Sequence, residues 1–104
     1  MQRRSAKVFK NGIYVGLLVE KENLWYTFDY DESYYGDPIS LTMPINKKHF
    51  IFEKFPPFFE GLLPEGAQLE KVLRNLKIDK KDYFGLLMEV GGDLVGDVTV
   101  KENL

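Results

Sequence analysis

Cysteine is missing from this 104-residue chain, and histidine and tryptophan occur once each. Without cysteine there is no disulfide, no thiolate nucleophile and no cysteine-type zinc site, a composition that fits a reducing cytoplasm. An excess of one charge is also missing. Fourteen basic residues stand against sixteen acidic ones, a net charge of -2. So balanced a chain has no overall field to draw it onto nucleic acid or an anionic membrane. No apolar run approaches the roughly 18 residues of a membrane-spanning helix. In the basic start, Met1 to Lys7, Lys10 breaks the following apolar stretch before a signal-peptide core can form. Arg3 and Arg4 are read there as a solvated N-terminus. The expectation is one soluble, cytoplasmic domain over residues 1–104.

What is present suits a packed fold. Hydrophobic residues make up 44% and aromatics 14% of the chain, enough for a core of modest stability. Lys7–Lys10, Asn11-Gly12 and Ile13–Val19 form a hairpin signature, since both central residues of a type I′ turn need positive φ. Ile13, Val15, Leu17 and Val19 alternate onto one predicted face. After a polar turn at Glu20–Asn23, Leu24, Tyr26, Phe28 and Tyr30 line one side of a third strand, with Trp25 on the other. Asp31–Pro38 reads as a loop, and Ile39, Leu41 and Met43 as a short strand closed by Pro44.

The second half changes to helical spacing. Phe55-Pro56-Pro57 leads into a short helix, Phe58–Leu63, stopped by Pro64. Leu69, Val72, Leu73 and Leu76 form one apolar stripe, with Glu70, Lys71 and Arg74 outside it. Asp79 stands as N-cap of a third helix whose stripe is Tyr83, Leu86, Leu87 and Val90, ended by Gly91. Val98–Val100 reads as a last strand. Both stripes are expected to be core, so Leu73→Ala and Leu87→Ala should each cost about 2–5 kcal/mol. The fold class is α+β: a small antiparallel sheet with about three helices packed on one face.

Candidate chemistry fails on its own requirements. Gly91–Asp97 is glycine-rich, but a phosphate loop needs Lys and then Ser or Thr after its last glycine, and Asp97 stands there. A helix cap followed by a tight turn fits better. Asp29–Ser33 alternates oxygen ligands as a calcium loop does, yet Tyr34 and Ser40 occupy the places of the required Gly and Glu. His49 has no obvious acidic partner, and reads as a loop or surface residue. Lys71, Arg74, Lys77, Lys80 and Lys81 make a basic region without interleaved aromatics, read as a solvated face. The Gly-rich loop, strand lysine, H-R-D and D-F-G of a protein kinase are not in the sequence.

Three ordered segments resemble the N-terminal subdomain of HipA-type serine/threonine kinases. They are Pro38–Pro44 (PISLTMP), Phe58–Gly66 (FFEGLLPEG), and Asp82–Leu87 (DYFGLL) running into Gly91–Thr99 (GGDLVGDVT). The Asn11-Gly12 hairpin matches that family's opening, so the resemblance covers nearly the whole chain. It implies the same subdomain fold. In that family the residues that bind ATP and magnesium follow the last motif, so the resemblance also implies no catalytic, cofactor or metal residues here. A free-standing copy is similar to the HipS family, the small antitoxins of three-gene HipBST toxin–antitoxin systems. That implies binding and inhibition of a HipT-like kinase toxin, in a complex with a helix-turn-helix HipB-like protein that contacts DNA. Family kinases phosphorylate aminoacyl-tRNA synthetases, so the process restrained would be translation shutdown. Two alternatives stand beside this: an N-terminal piece of a full-length HipA-like kinase, and a nucleic-acid-binding module using the basic region.

The turn after Phe58–Leu63 must lie at the surface, because a buried turn strands backbone polar groups. A rigid, exposed turn beside apolar residues suits a partner contact. Leu63, Pro64, Glu65, Gly66, Ala67 and Gln68 are therefore the candidate partner-binding residues. The acidic, tyrosine-rich loop Asp31–Asp37 is the competing site.

Overall fold

A computed structural model describes residues 2–94 and 96–103, with side chains from residue 4 onward. The expectations for the Arg3 side chain and for Val95 in the Gly91–Asp97 segment fall outside the described residues. Strands β1 (Gln2–Lys10), β2 (Ile13–Lys21), β3 (Tyr26–Tyr30), β4 (His49–Phe52) and β5 (Val98–Glu102) form one antiparallel sheet in the order β4-β3-β2-β1-β5. Helices α1 (Pro57–Glu60), α2 (Gly66–Leu76) and α3 (Tyr83–Val90), with a 3-10 turn at Gly91–Asp93, complete the α+β fold. Among the described residues, no helix is long and apolar enough to cross a membrane.

The hairpin forms as its turn chemistry requires. Asn11 and Gly12 have φ of 51° and 80°. A bulge then alters the predicted face of β2. Val8 pairs with Gly16 but Phe9 with Tyr14, which leaves Val15 as an extra residue. An inserted residue shifts the alternation, so Leu18 joins the core, while of the predicted face Val15 and Val19 are buried, Leu17 is half-buried and Ile13 is exposed. Gly16 is needed beside the bulge: a Cβ there would sit 2.3 Å from the Asp29 carbonyl oxygen.

The core lies between the sheet and the α1 and α3 side chains. Phe28 meets Phe59 at 5.8 Å between ring centroids, and Tyr26 stacks on Phe84 at 6.3 Å. Phe28, Phe59 and Phe84 are fully buried, each stabilising by about 1.5–3 kcal/mol. α3 is capped by Asp82, not Asp79: the Asp82 carboxylate accepts from Gly85 N at 3.0 Å, while Asp79 accepts from Lys81 N within a preceding turn. The α3 stripe is shifted too, since Phe84 is buried and Tyr83 is exposed. Gly91 runs on into the 3-10 turn, pressed so close to β5 that a Cβ would lie 2.3 Å from the Val100 carbonyl oxygen.

Two further expectations are corrected. Ile39–Met43 is a tight turn and not a strand: Met43 N donates to Ser40 O at 3.0 Å, and Ser40 and Met43 form an isolated bridge. The fourth strand is instead His49–Phe52, where Phe50 faces Phe28 in register. Pairing to β3 decides this, because Phe50 and Phe52 complete the aromatic face while Leu41 has nothing to cover it. Leu24 leaves the third strand and enters the turn before it, with φ of 66° and an exposed side chain.

Candidate partner-docking surface

The corner between α1 and α2 is built from two chain-stiffening residues and a glycine. Pro57 opens α1, Leu62 N and Leu63 N bond back to Phe59 O and Glu60 O, and Pro64 ends that turn. Glu65 is extended, and Gly66 begins α2 at φ of 58°, a left-handed conformation favouring glycine. The corner and α2 form one side of an open groove of about 750 Å³, and the end of α3 with its 3-10 turn forms the other.

Of the six residues predicted for partner contact, Leu63, Pro64, Glu65 and Gln68 line this groove, whereas Gly66 and Ala67 are exposed on the corner outside it. Leu62, Val72, Val90 and Leu94 add apolar lining that the sequence reading had not assigned to a site. Glu65, Glu89 and Asp93 give the groove three carboxylates against one ammonium, Lys71. Val90 and Leu94 reach the groove because α3 passes directly into the 3-10 turn, a continuation that Gly91 as a helix stop had hidden.

Helix α2 is amphipathic and yet buries none of its residues. Leu69, Val72 and Leu73 are half-buried, and Leu76 is 39% exposed. The expected core stripe is therefore only half covered by this chain. An eleven-residue helix is marginal in water without tertiary packing, so a stripe left half covered is a candidate contact surface. Outside the groove lining, the basic residues Arg74 and Lys77 are exposed.

The competing loop divides. Tyr34 is an anchor: it is buried, stacks on Tyr30 at 6.2 Å and donates its hydroxyl to Asp37 O at 2.6 Å. Tyr35 is 85% exposed, with Lys48 Nζ over its ring at 5.6 Å. His49 also has a partner after all. Asp29 faces it across β3 and β4, and its carboxylate bonds the His49 Nδ1. Register across the sheet makes that pair, which sequence distance concealed.

Arg4 is not a solvated terminus. Its Nε and Nη2 donate to Glu20 at 2.8 and 3.0 Å, and Nη1 and Nη2 donate to Asp82 at 3.1 and 2.8 Å. It also lies 5.1 Å over the Phe84 ring. The hydrogen bonds to Glu20, then those to Asp82, raise the guanidinium pKa above its ordinary value. Burial, then the Glu20 charge, raises the pKa of the Tyr26 phenol. This cluster ties β1 and β2 to the start of α3, a clamp holding the sheet to the helix. Among the described residues, no group of three His, Asp or Glu side chains converges as a metal site would.

Known proteins supply the remaining comparison. A family model described as HipA N-terminal domain matches residues 6–101. A solved structure, the N-terminal domain of HipA toxin, aligns with a TM-score of 0.80 at 32% identity, covering 98% of this chain and 94% of that one. An uncharacterized protein of Haemophilus influenzae is 36% identical over 99 residues, which are 95% of this chain and 92% of that protein. The putative kinase Y4mE of Sinorhizobium fredii is 31% identical over 100 residues, 92% of this chain but 24% of the kinase. With the family's pattern running through both the hairpin and the last strand, and with the same fold beneath it, the chain belongs to the HipA N-terminal domain family.

Proposed function

We propose that this domain is the non-catalytic N-terminal subdomain that serves a HipA-type serine/threonine kinase core, docking on it through the α1–α2 corner. One observation carries the reading: α2 presents an apolar stripe that its own chain leaves half covered, beside an open groove with apolar lining. A surface of that kind is completed by a partner of fixed geometry. The likeness to Y4mE supports a kinase as that partner, since the aligned domain is only 24% of the putative kinase and leaves room for a catalytic core.

A second reading has its own support. The H. influenzae relative is 92% covered by the match, so in that protein the domain is nearly the whole chain. On this reading the domain is a separate cytoplasmic antitoxin of the HipS type, restraining a HipT-like kinase in a complex with a HipB-like protein. Both readings use the same docking surface. They differ in whether kinase and domain share a polypeptide, which the reading frame beyond Leu104 decides.

Co-expression with a HipA-type kinase core tests the docking. The two should co-purify. Glu65→Lys combined with Gln68→Trp should weaken binding while circular dichroism stays unchanged, because both side chains are exposed. On the antitoxin reading the same variant also restores growth arrest. Failure to co-purify, or full binding by the double variant, would reject the corner as the docking surface.

A further inference from the structure

We infer that the groove between α2 and the end of α3 receives a short segment of the kinase core, one that carries apolar side chains flanked by Lys or Arg. The inference rests on the docking reading above and extends it from the α1–α2 corner to the opposite wall. Val72 on α2 and Val90 at the end of α3 line the groove from its two sides. Leu62, Leu63 and Leu94 pack against the buried core, but among the described residues Val72 and Val90 are not part of that packing. Both are half-buried, so each keeps apolar surface open to the groove. Water lying against two such surfaces is released when an apolar side chain enters between them.

Carboxylates rim both walls. Glu65 stands on the corner side, and Glu89 and Asp93 stand on the α3 side. All three are exposed, and among the described residues none of them has an ion-pair partner. Lys71, the cation in the lining, is bonded to none of them. Widening the count to the flanking Glu60, Glu70 and Arg74, and even to Lys77 beyond them, leaves five exposed carboxylates against three cations. The excess is local, on a domain whose net charge is only -2. A cleft of this sign repels nucleic-acid phosphate and gathers Lys and Arg. Their aliphatic stems also suit the valines, since they cover apolar surface while the charged head reaches the rim.

A second copy of this chain offers a basic region of its own, at Arg74, Lys77, Lys80 and Lys81. Placed in the groove, that region would make a head-to-tail contact. Each added copy would then present another free groove, and the result would be open chains with no closed dimer. A basic kinase segment complements the rim and closes the contact in one step. It also continues the contact assigned to the corner, because Glu65 and Gln68 belong to both.

Reversing charge on the wall opposite the corner tests the inference. In a titration with a HipA-type kinase core, Glu89→Lys combined with Asp93→Lys should weaken affinity at least about tenfold and flatten its dependence on salt. The neutral pair, Glu89→Gln with Asp93→Asn, should fall between native and reversed, and it carries the test alone if circular dichroism shows the reversed pair misfolded. Photocrosslinking from p-benzoylphenylalanine at Gln68 locates the kinase segment. Changing the Lys or Arg residues of that segment to Glu should restore binding to the reversed variant. Native affinity in the folded wall variants overturns the groove, and so does a failed restoration or a crosslinked segment without Lys or Arg. In each of those cases the corner still stands if Glu65→Lys with Gln68→Trp weakens binding. No binding by the native chain overturns the docking reading and the groove together. Assemblies of the chain alone that lengthen with concentration, and that the reversed wall abolishes, would give the groove to a second copy and overturn the inference.

Discussion

Helix α3 is eight residues long and buries Phe84, Leu86 and Leu87, while α2 is eleven residues long and buries none. Both carry apolar residues at helical spacing. α3 is tied down at its start by the Asp82 cap and the Arg4 clamp, and at its end by Gly91 against β5. α2 has no side-chain cap. It starts from a left-handed Gly66 and ends on a left-handed Lys77, with φ of 58° and 54°. The difference teaches that a stripe announces an apolar side without saying whose surface covers it. α3 is covered by its own sheet, whereas this chain leaves the α2 stripe only half covered.

Truncation at the middle of each stripe is the hardest test of that contrast. Leu87→Ala should lower stability by about 2–5 kcal/mol, because Leu87 is fully buried in the core. Leu73→Ala should change the isolated domain by less than about 1 kcal/mol, against the expectation drawn from spacing alone. Urea denaturation compares the two, and equal losses would break the contrast. In complex with the kinase core, Leu73→Ala should become the more damaging of the pair for binding.

A smaller effect is expected at the clamp. Asp82→Ala removes both the α3 cap and the Arg4 partner, for a loss of about 1–2 kcal/mol. Asp82→Asn retains a cap acceptor and should recover much of it. If the two variants denature alike, the ion pair with Arg4 outweighs the cap in holding α3 to the sheet.

The smallest effect concerns the other end of the sheet, where Lys10 Nζ meets Asp97 at 2.5 Å and Asn11 N donates to Asp97 O at 2.8 Å. The hydrogen bond between the side chains lowers the Asp97 pKa from 3.8 and raises that of Lys10 from 10.5. A depressed carboxyl stabilises the fold above its ordinary value, and that stability is lost as pH falls through the folded value. A raised ammonium stabilises below its ordinary value, with loss as pH rises through the folded one. The stability difference between the native chain and Asp97→Asn should thus be flat from above pH 3.8 to below pH 10.5 and shrink outside those limits. Added salt should reduce it throughout, since the Asp97 side of the pair faces water.

Local chemistry settled much of this molecule before any contact was known. Asn11-Gly12 can take two successive positive φ values, so the first hairpin was legible. Pro64 and Gly66 placed the corner, because one blocks a helix and the other tolerates left-handed backbone. Spacing alone marked α2 and α3 as amphipathic. Tertiary structure decided what those patterns meet. A single bulge at Val15 shifted the alternation of β2 and brought Leu18 into the core, and pairing with β3 made a strand of His49–Phe52. The Tyr30 hydroxyl bent Ile39–Met43 into a turn and threw Leu41 outward. Asp29 and His49, like Arg4 and Asp82, became partners only when the strands and α3 came together. The reason is physical: periodicity and turn chemistry act within a few residues, whereas burial, register and ion pairing depend on chain segments that sequence distance keeps apart.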